Sequence, residues 1–258
     1  MNSKKALGVL LAFALMTPSL GTAEPFKIAF VGDSMADGLW GGAQRRASRD
    51  PCLRNALQFG RFAEIGTGLA RLDKFDWLGR IKVISSQFAP DVIVVSMGLN
   101  DRTTVVDQSG RDRVDLSNPN WEAAYREQVA GFVNAAVQSK AAILWVGLPV
   151  LRDEAANRDA REKNNIFRRV ISPLNQSGLV FVEPWRLSSS ELDTYQPFSL
   201  IGDAKVQLRA SDGVHFTSAG YDLLTQYLWP YILSVHEKVR GPVPAKEEAC
   251  LLSGNTIR

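Results

Sequence analysis

Five short runs of the chain, "FKIAFV" (26–31), "RFAEIG" (61–66), "DVIVVSMG" (91–98), "AILWVGLP" (142–149) and "LVFVEP" (179–184), are mostly apolar throughout rather than at alternate positions. A strand with no polar face has to be covered on both sides, which is the situation of a parallel sheet wrapped in helices. The stretches between them carry helical patterns, at 35–48, 77–87, 119–139, 155–176 and 217–239. The clearest is 119–139, where Trp121, Ala124, Tyr125, Val129, Phe132, Val133, Ala136 and Val137 recur at spacings of three and four. Asn118 and Pro119 give that helix an N-cap and a first-turn proline. Pro230 should kink or divide the last helix. Strands alternating with helices predict a doubly wound α/β fold, three layers α/β/α around a five-stranded parallel sheet of flavodoxin-like type. With 258 residues and 45% hydrophobic content, the chain suits one sizeable core. The charged stretch "RTTVVDQSGRDRVDLSN" (102–118) is long for a loop in a compact domain, and is expected to be functional or mobile.

The first residues follow a different logic. Lys4 and Lys5 precede an apolar run from Ala6 to Met16, and small residues follow up to Ala23. This is the layout of a secretory signal peptide, with an apolar run short for a bilayer; an uncleaved anchor is the alternative. The expectation is a leader over 1–23, a single domain over 24–258, and a periplasmic or secreted product without stable membrane insertion. Cleavage would take the formal charge from +3 to +1, which argues against electrostatic nucleic-acid binding. Cys52 and Cys250 would enter an oxidising compartment, where a disulfide tying down the C-terminal tail competes with two unpaired thiols. The two histidines lack a metal-site spacing to cysteine or carboxylate, so no metal is expected.

Ligands of an open parallel sheet bind beyond the carboxyl ends of its strands. In "FVGDSMADG" (30–38) the first strand ends there on Ser34, at the start of a helix, where a hydroxyl and an amide face the positive end of the helix dipole. Alone, such a serine is ordinarily a helix N-cap. The third strand ends in "SMGLNDR", and the Asn100 amide there can donate to a developing oxyanion, although Gly, Asn and Asp also simply make turns. Late in the chain, "RASDGVHFTSAG" sets Asp212 three residues before His215. That spacing lets one turn supply an imidazole and the carboxylate that orients it; the alternative is a plain turn leading to a helix capped by Thr217.

"GDSMADG", "IGTGLAR", "GLND" and "DGVHFT", in that order, resemble the successive blocks of the SGNH, or GDSL, hydrolases. The resemblance implies Ser34 as nucleophile, with His215 and Asp212 completing the triad. It also implies an oxyanion hole made by the Ser34 amide, a glycine amide of "IGTGLAR" and the Asn100 side chain. Gly68 is preferred to Gly66 for that glycine, because it follows a small residue after the strand. The stretches "GTGLARLDKFDW", "WEAAYREQV", "LWVGLPVLR" and "LIGDAKVQLRASDGVHFT" resemble an exported bacterial branch of the family whose substrates are poorly defined. Arg152 and Arg209 fall near strand ends or the final block, although most arginines are solvated surface residues.

The chemistry implied is acyl transfer through an acyl-serine, with no cofactor. Asp33 and Asp101 should brace their turns, and His236 should be a surface or packing residue. Trp40 and Trp77 are candidates to stack on a sugar ring, although tryptophan is also a common core residue. The expected substrate is a small acyl ester, acetyl first, on a cell-envelope or exported glycan. A glycan O-acyltransferase, a short-chain lipid esterase or lysophospholipase, and a non-catalytic envelope-binding protein are the alternatives.

Overall fold

A computed structural model describes residues 24–174, 178–189 and 194–242. Strand β1 (Phe26–Gly32) feeds helix α1 (Ser34–Arg49), and a short α2 (Pro51–Ala56) leads into β2 (Leu57–Ala63). Then follow α3 (Trp77–Gln87), β3 (Val92–Ser96), a small hairpin of β4 (Val105–Val106) and β5 (Arg113–Val114), α4 (Trp121–Val137), β6 (Ala142–Val146) and α5 (Glu154–Ile171). The described residues continue through β7 (Leu179–Val182), the one-turn α6 (Trp185–Ser188), a second hairpin of β8 (Phe198–Ile201) and β9 (Ala204–Gln207), and α7 (Ser218–Arg240). The central sheet has the order β2-β1-β3-β6-β7 and every pairing in it is parallel. This is the three-layer α/β/α arrangement expected from the apolar runs, with its ligand-binding edge at the carboxyl ends of β1 and β3.

Each sheet face has its own core. Ile28, Phe30, Val92, Val94 and Leu144 pack with Met35 and Leu39 of α1 and with Leu224, Leu228 and Trp229 of α7. Ala29, Val31, Ile93, Val95 and Trp145 pack on the other face with Trp77 and Ile81 of α3, Tyr125 and Phe132 of α4, and Phe167 of α5. Alternate residues of β1 and β3 thus enter opposite cores, which is why those strands read as continuously apolar.

Four local expectations need correction. The second strand is 57–63, not 61–66, because Leu57 to Ala63 pair with Phe26 to Gly32. It is an edge strand with exposed Gln58 and Arg61, so its sequence lacks the apolar run that marked the others. Asn118 does not cap α4: its side chain accepts from the Asn120 N–H at 2.9 Å in a turn before the helix, which starts at Trp121. Pro230 does not divide α7, which is continuous with that residue on the exposed side, where water can satisfy the carbonyl it leaves unbonded. The 102–118 stretch contains the β4–β5 hairpin, anchored where the Val106 N–H donates to Ala70 O at 2.7 Å and the Trp121 Nε1–H to Thr103 O at 2.7 Å. The leader (1–23) and Cys250, the expected partner of Cys52, lie outside the described residues. Among the described residues no helix is long and apolar enough to cross a membrane.

Candidate active site

Two helices on one face of the sheet bring together parts of the chain far apart in sequence. A Cβ placed on Gly38 of α1 would lie 2.0 Å from the Tyr221 ring of α7, and one on Gly42 would lie 2.5 Å from Thr225 Oγ1. Small residues one turn apart let the helices approach this closely. Ser34 opens α1 and His215 stands three residues before α7, so this packing sets one against the other.

The result is a hydrogen-bonded chain across 181 positions of sequence. Ser34 Oγ is 2.7 Å from His215 Nε2, and His215 Nδ1 is 2.7 Å from Asp212 Oδ2. A carboxylate only accepts, so Nδ1 carries the proton of a neutral imidazole and Nε2 is left to accept from the Ser34 hydroxyl. Asp212 Oδ1 accepts from the Val214 and His215 amides at 2.8 and 3.0 Å. Burial alone would raise the Asp212 pKa, but the hydrogen bonds from the His215 ring and these two amides outweigh it and hold the carboxyl at about 2. The dyad is open, with 47% of the Asp212 side chain and 37% of the His215 side chain exposed.

Ser34 is not the cap of its helix. Asp33 is, accepting from the Met35 N–H at 2.9 Å through Oδ1, and this leaves the serine hydroxyl to His215. Asp33 Oδ2 accepts from the Gly98 N–H at 3.1 Å and from Asn100 Nδ2 at 3.4 Å, joining the head of α1 to the loop after β3. Its carboxyl is fully buried, and burial, reinforced by nearby Asp101, pushes its pKa up to about 7 despite these donors.

Asp101 braces the other side of the cleft. Its carboxylate accepts from the Leu69 and Ala70 amides at 3.0 and 2.8 Å and from the Tyr125 hydroxyl at 2.7 Å, and burial raises its pKa. Both aspartates therefore hold turns, as expected. Asn100 is exposed beside this turn, its amide donating to Thr67 O at 2.9 Å. Gly68 is buried, and a Cβ there would lie 2.0 Å from Asp101 Oδ1, whereas Gly66 is exposed with open space around it. Among the described residues neither glycine amide has an acceptor, and neither has the Ser34 amide.

Arg209 is the least expected member of the neighbourhood. It is 0% exposed, and its guanidinium donates to Val150 O at 2.7 Å, Val214 O at 2.8 Å and His215 O at 3.4 Å. The Phe216 and Tyr195 rings lie 4.5 and 4.9 Å from it, and burial draws its pKa down to about 10. It thus ties the loop carrying Asp212 and His215 to the loop that follows β6. Arg152 stays exposed, its amide donating to Gly213 O at 3.0 Å in the same loop. A lone arginine in a sequence gives no sign of such burial; the signal available was its place three residues before Asp212.

The two tryptophans fall elsewhere. Trp77 is a core residue, 0% exposed between Phe75 and Phe132, with no open face for a sugar; its Nε1–H donates to Thr67 Oγ1 at 3.1 Å and steadies the glycine turn. Trp40 is six residues beyond Ser34, about 9 Å along α1 and on a different face. Its ring lies under the Arg61 guanidinium, which is paired with Asp37 at 2.5 Å. His236 packs edge-on against Phe26 at 4.5 Å, away from the triad. Among the described residues no group of three or more His, Cys, Asp or Glu is placed to hold a metal ion.

Solved structures share this fold. A GDSL-like lipase from Bacteroides thetaiotaomicron matches with a TM-score of 0.54 at 14% identity, covering 80% of this chain and 87% of that one. A catalytic mutant of Axe2, an acetylxylan esterase from Geobacillus stearothermophilus, matches with a TM-score of 0.56 at 15% identity, covering 80% and 93%. A carbohydrate esterase family 3 structure from Talaromyces cellulolyticus matches with a TM-score of 0.54 at 12% identity, covering 83% and 99%. The architecture is that of the SGNH/GDSL esterases and lipases. No curated protein matches the chain. The family model described as "Protein of unknown function (DUF459)" matches residues 27–231, and the chain belongs to that family.

Proposed function

We propose that this chain is a serine esterase that removes small acyl groups, acetyl first, from glycans of the cell envelope or exported polysaccharide. The observation that carries the reading is the Ser34–His215–Asp212 chain at 2.7 and 2.7 Å, on a serine whose capping duty has passed to Asp33. His215 takes the Ser34 proton as the oxygen attacks the ester carbonyl, and Asp212 stabilises the imidazolium. The oxyanion is held by the Ser34 amide, a glycine amide of the 64–68 turn, with Gly68 the buried candidate beside Asp101, and the Asn100 side chain, which gives up its long 3.4 Å bond to Asp33 for it. His215 then protonates the leaving alcohol, and water attacks the acyl-serine by the reverse route, releasing the acid.

The open triad suits an ester projecting from a larger body, and two of the structural neighbours are carbohydrate esterases by description. The leader-like first 23 residues motivate export to the periplasm or beyond, which peptide mapping of the cell-envelope fraction would test by finding or failing to find a new N-terminus near Glu24.

The deciding assay is acid release from 4-nitrophenyl acetate, butyrate and octanoate, and from acetylated xylan, by the chain from Glu24 and by its Ser34→Ala variant. Turnover strongest on acetyl esters and abolished in the variant is expected. Turnover equal in both proteins, or absent from both, overturns the esterase reading, and transfer of acyl groups to a glycan acceptor becomes the next assay.

A further inference from the structure

At the same sheet edge as Ser34 lies a cavity of about 240 Å³ lined by Arg102, Leu116, Trp121, Ala155, Arg158, Asp159 and Glu162. Two of its lining residues follow residues of the candidate site closely in the chain. Arg102 is two residues beyond Asn100, and Ala155 is three beyond Arg152, whose amide holds Gly213 of the histidine loop. The N-termini of α4 and α5 form the remaining walls, at the same sheet edge as Ser34.

The lining has an uneven chemistry. One face of the Trp121 ring is stacked on Tyr125 at 5.1 Å and 16°, and its Nε1–H is already donated to Thr103 O, so the indole presents carbon surface to the cavity. Asp159 is neutralised by the fully buried Lys163 one turn on. Arg102, Arg158 and Glu162 bring two donors and one acceptor that no partner among the described residues takes up. An aromatic wall facing a ring of donors and acceptors suits a molecule with one apolar face and a polar rim. The volume is below the roughly 300–1,000 Å³ of pockets for drug-sized ligands and fits a single ring.

We propose that this cavity is the sugar subsite of the esterase, taking one pyranose ring of the glycan with its C–H face on Trp121 and its hydroxyls on Arg102, Arg158 and Glu162. The inference deepens the esterase reading and rests on it for the position of the ester. It replaces Trp40 and Trp77 with Trp121 as the stacking residue.

Two measurements test it. The ratio of kcat/KM on O-acetylated xylotetraose to that on 4-nitrophenyl acetate should fall about tenfold in Trp121→Ala and in Arg158→Ala, the effect of losing one well-placed contact. Should Trp121→Ala not fold, Arg158→Ala and Glu162→Gln carry the test, since both side chains are exposed. Separately, saturation-transfer NMR should show unacetylated xylotetraose or chitotetraose binding to Ser34→Ala, with the signal lost on adding Trp121→Phe or Arg158→Ala. Unmoved ratios, or binding of neither oligosaccharide, overturn the subsite. If neither 4-nitrophenyl acetate nor acetylated xylan is hydrolysed, the esterase reading fails alone and the binding experiment still decides the cavity.

Discussion

Asp33 should make the protein less stable as the pH rises from about 4 to about 7, and Asp33→Asn should remove that trend. In the unfolded chain this carboxyl loses its proton near pH 4, whereas in the fold burial keeps it protonated up to about pH 7. Between those values the folded state binds more protons than the unfolded one, so its stability falls with rising pH and levels off above the folded pKa. A difference of about three pH units corresponds to about 4 kcal/mol at most. For a domain of this size that is roughly 8–16 °C in Tm. Asparagine costs something at every pH, because its NH2 must face the donors Met35 N–H or Gly98 N–H, but that cost does not titrate. Urea denaturation of both proteins from pH 4 to pH 8 isolates the effect: the stability of wild type relative to the variant should decline across the range. A difference that stays constant within about 0.5 kcal/mol would refute a buried, late-titrating Asp33. Asp101 lies close enough to couple, so the transition should be broader than that of a single site.

Gly68→Ala should displace the Asp101 carboxylate, breaking one or two of its hydrogen bonds at about 1.5–3 kcal/mol each, with a Tm lower by several degrees. An unchanged Tm would mean that the turn has room to yield. Arg209→Lys replaces a planar fork reaching three carbonyls by a single point charge, and should lower kcat by about 100-fold with KM little changed, as expected for a base displaced by about 1 Å. A positioning role also predicts loss of the far-downfield proton resonance of His215 Nδ1–H, whereas unaltered kcat and resonance would assign Arg209 to packing alone. Asp212→Asn should leave the fold intact and reduce turnover on acetyl esters by about four orders of magnitude, through the wrong imidazole tautomer. A loss below tenfold would show that Asp212 is not what orients the ring.

What could be read from the residues followed the strength of their pattern. The interior strands were legible because burial on both faces leaves no polar position, whereas edge strand β2 carries polar residues and was displaced by four residues. Ser34, Asn100, Asp212 and His215 could be singled out because they lie at or just beyond the ends of elements, where backbone direction largely decides what a side chain reaches. Arg209, Trp77 and Trp121 were not, since tryptophan and arginine look alike in a sequence whether they fill a core, line a cleft or cover a surface. Whether Ser34 capped its helix also needed coordinates, because Asp33 beside it could do the same work.

Ser34 belongs to the first helix of the described residues and His215 to the loop before the last, with Gly38 and Gly42 packing their two helices against Tyr221 and Thr225. During synthesis from the N-terminus the serine is therefore made long before its partner, and no truncated or partly folded chain that lacks α7 can assemble the site. On the proposed esterase reading, hydrolysis would wait for the contact of α1 with α7, so a copy in which that contact is not yet made would be silent on esters.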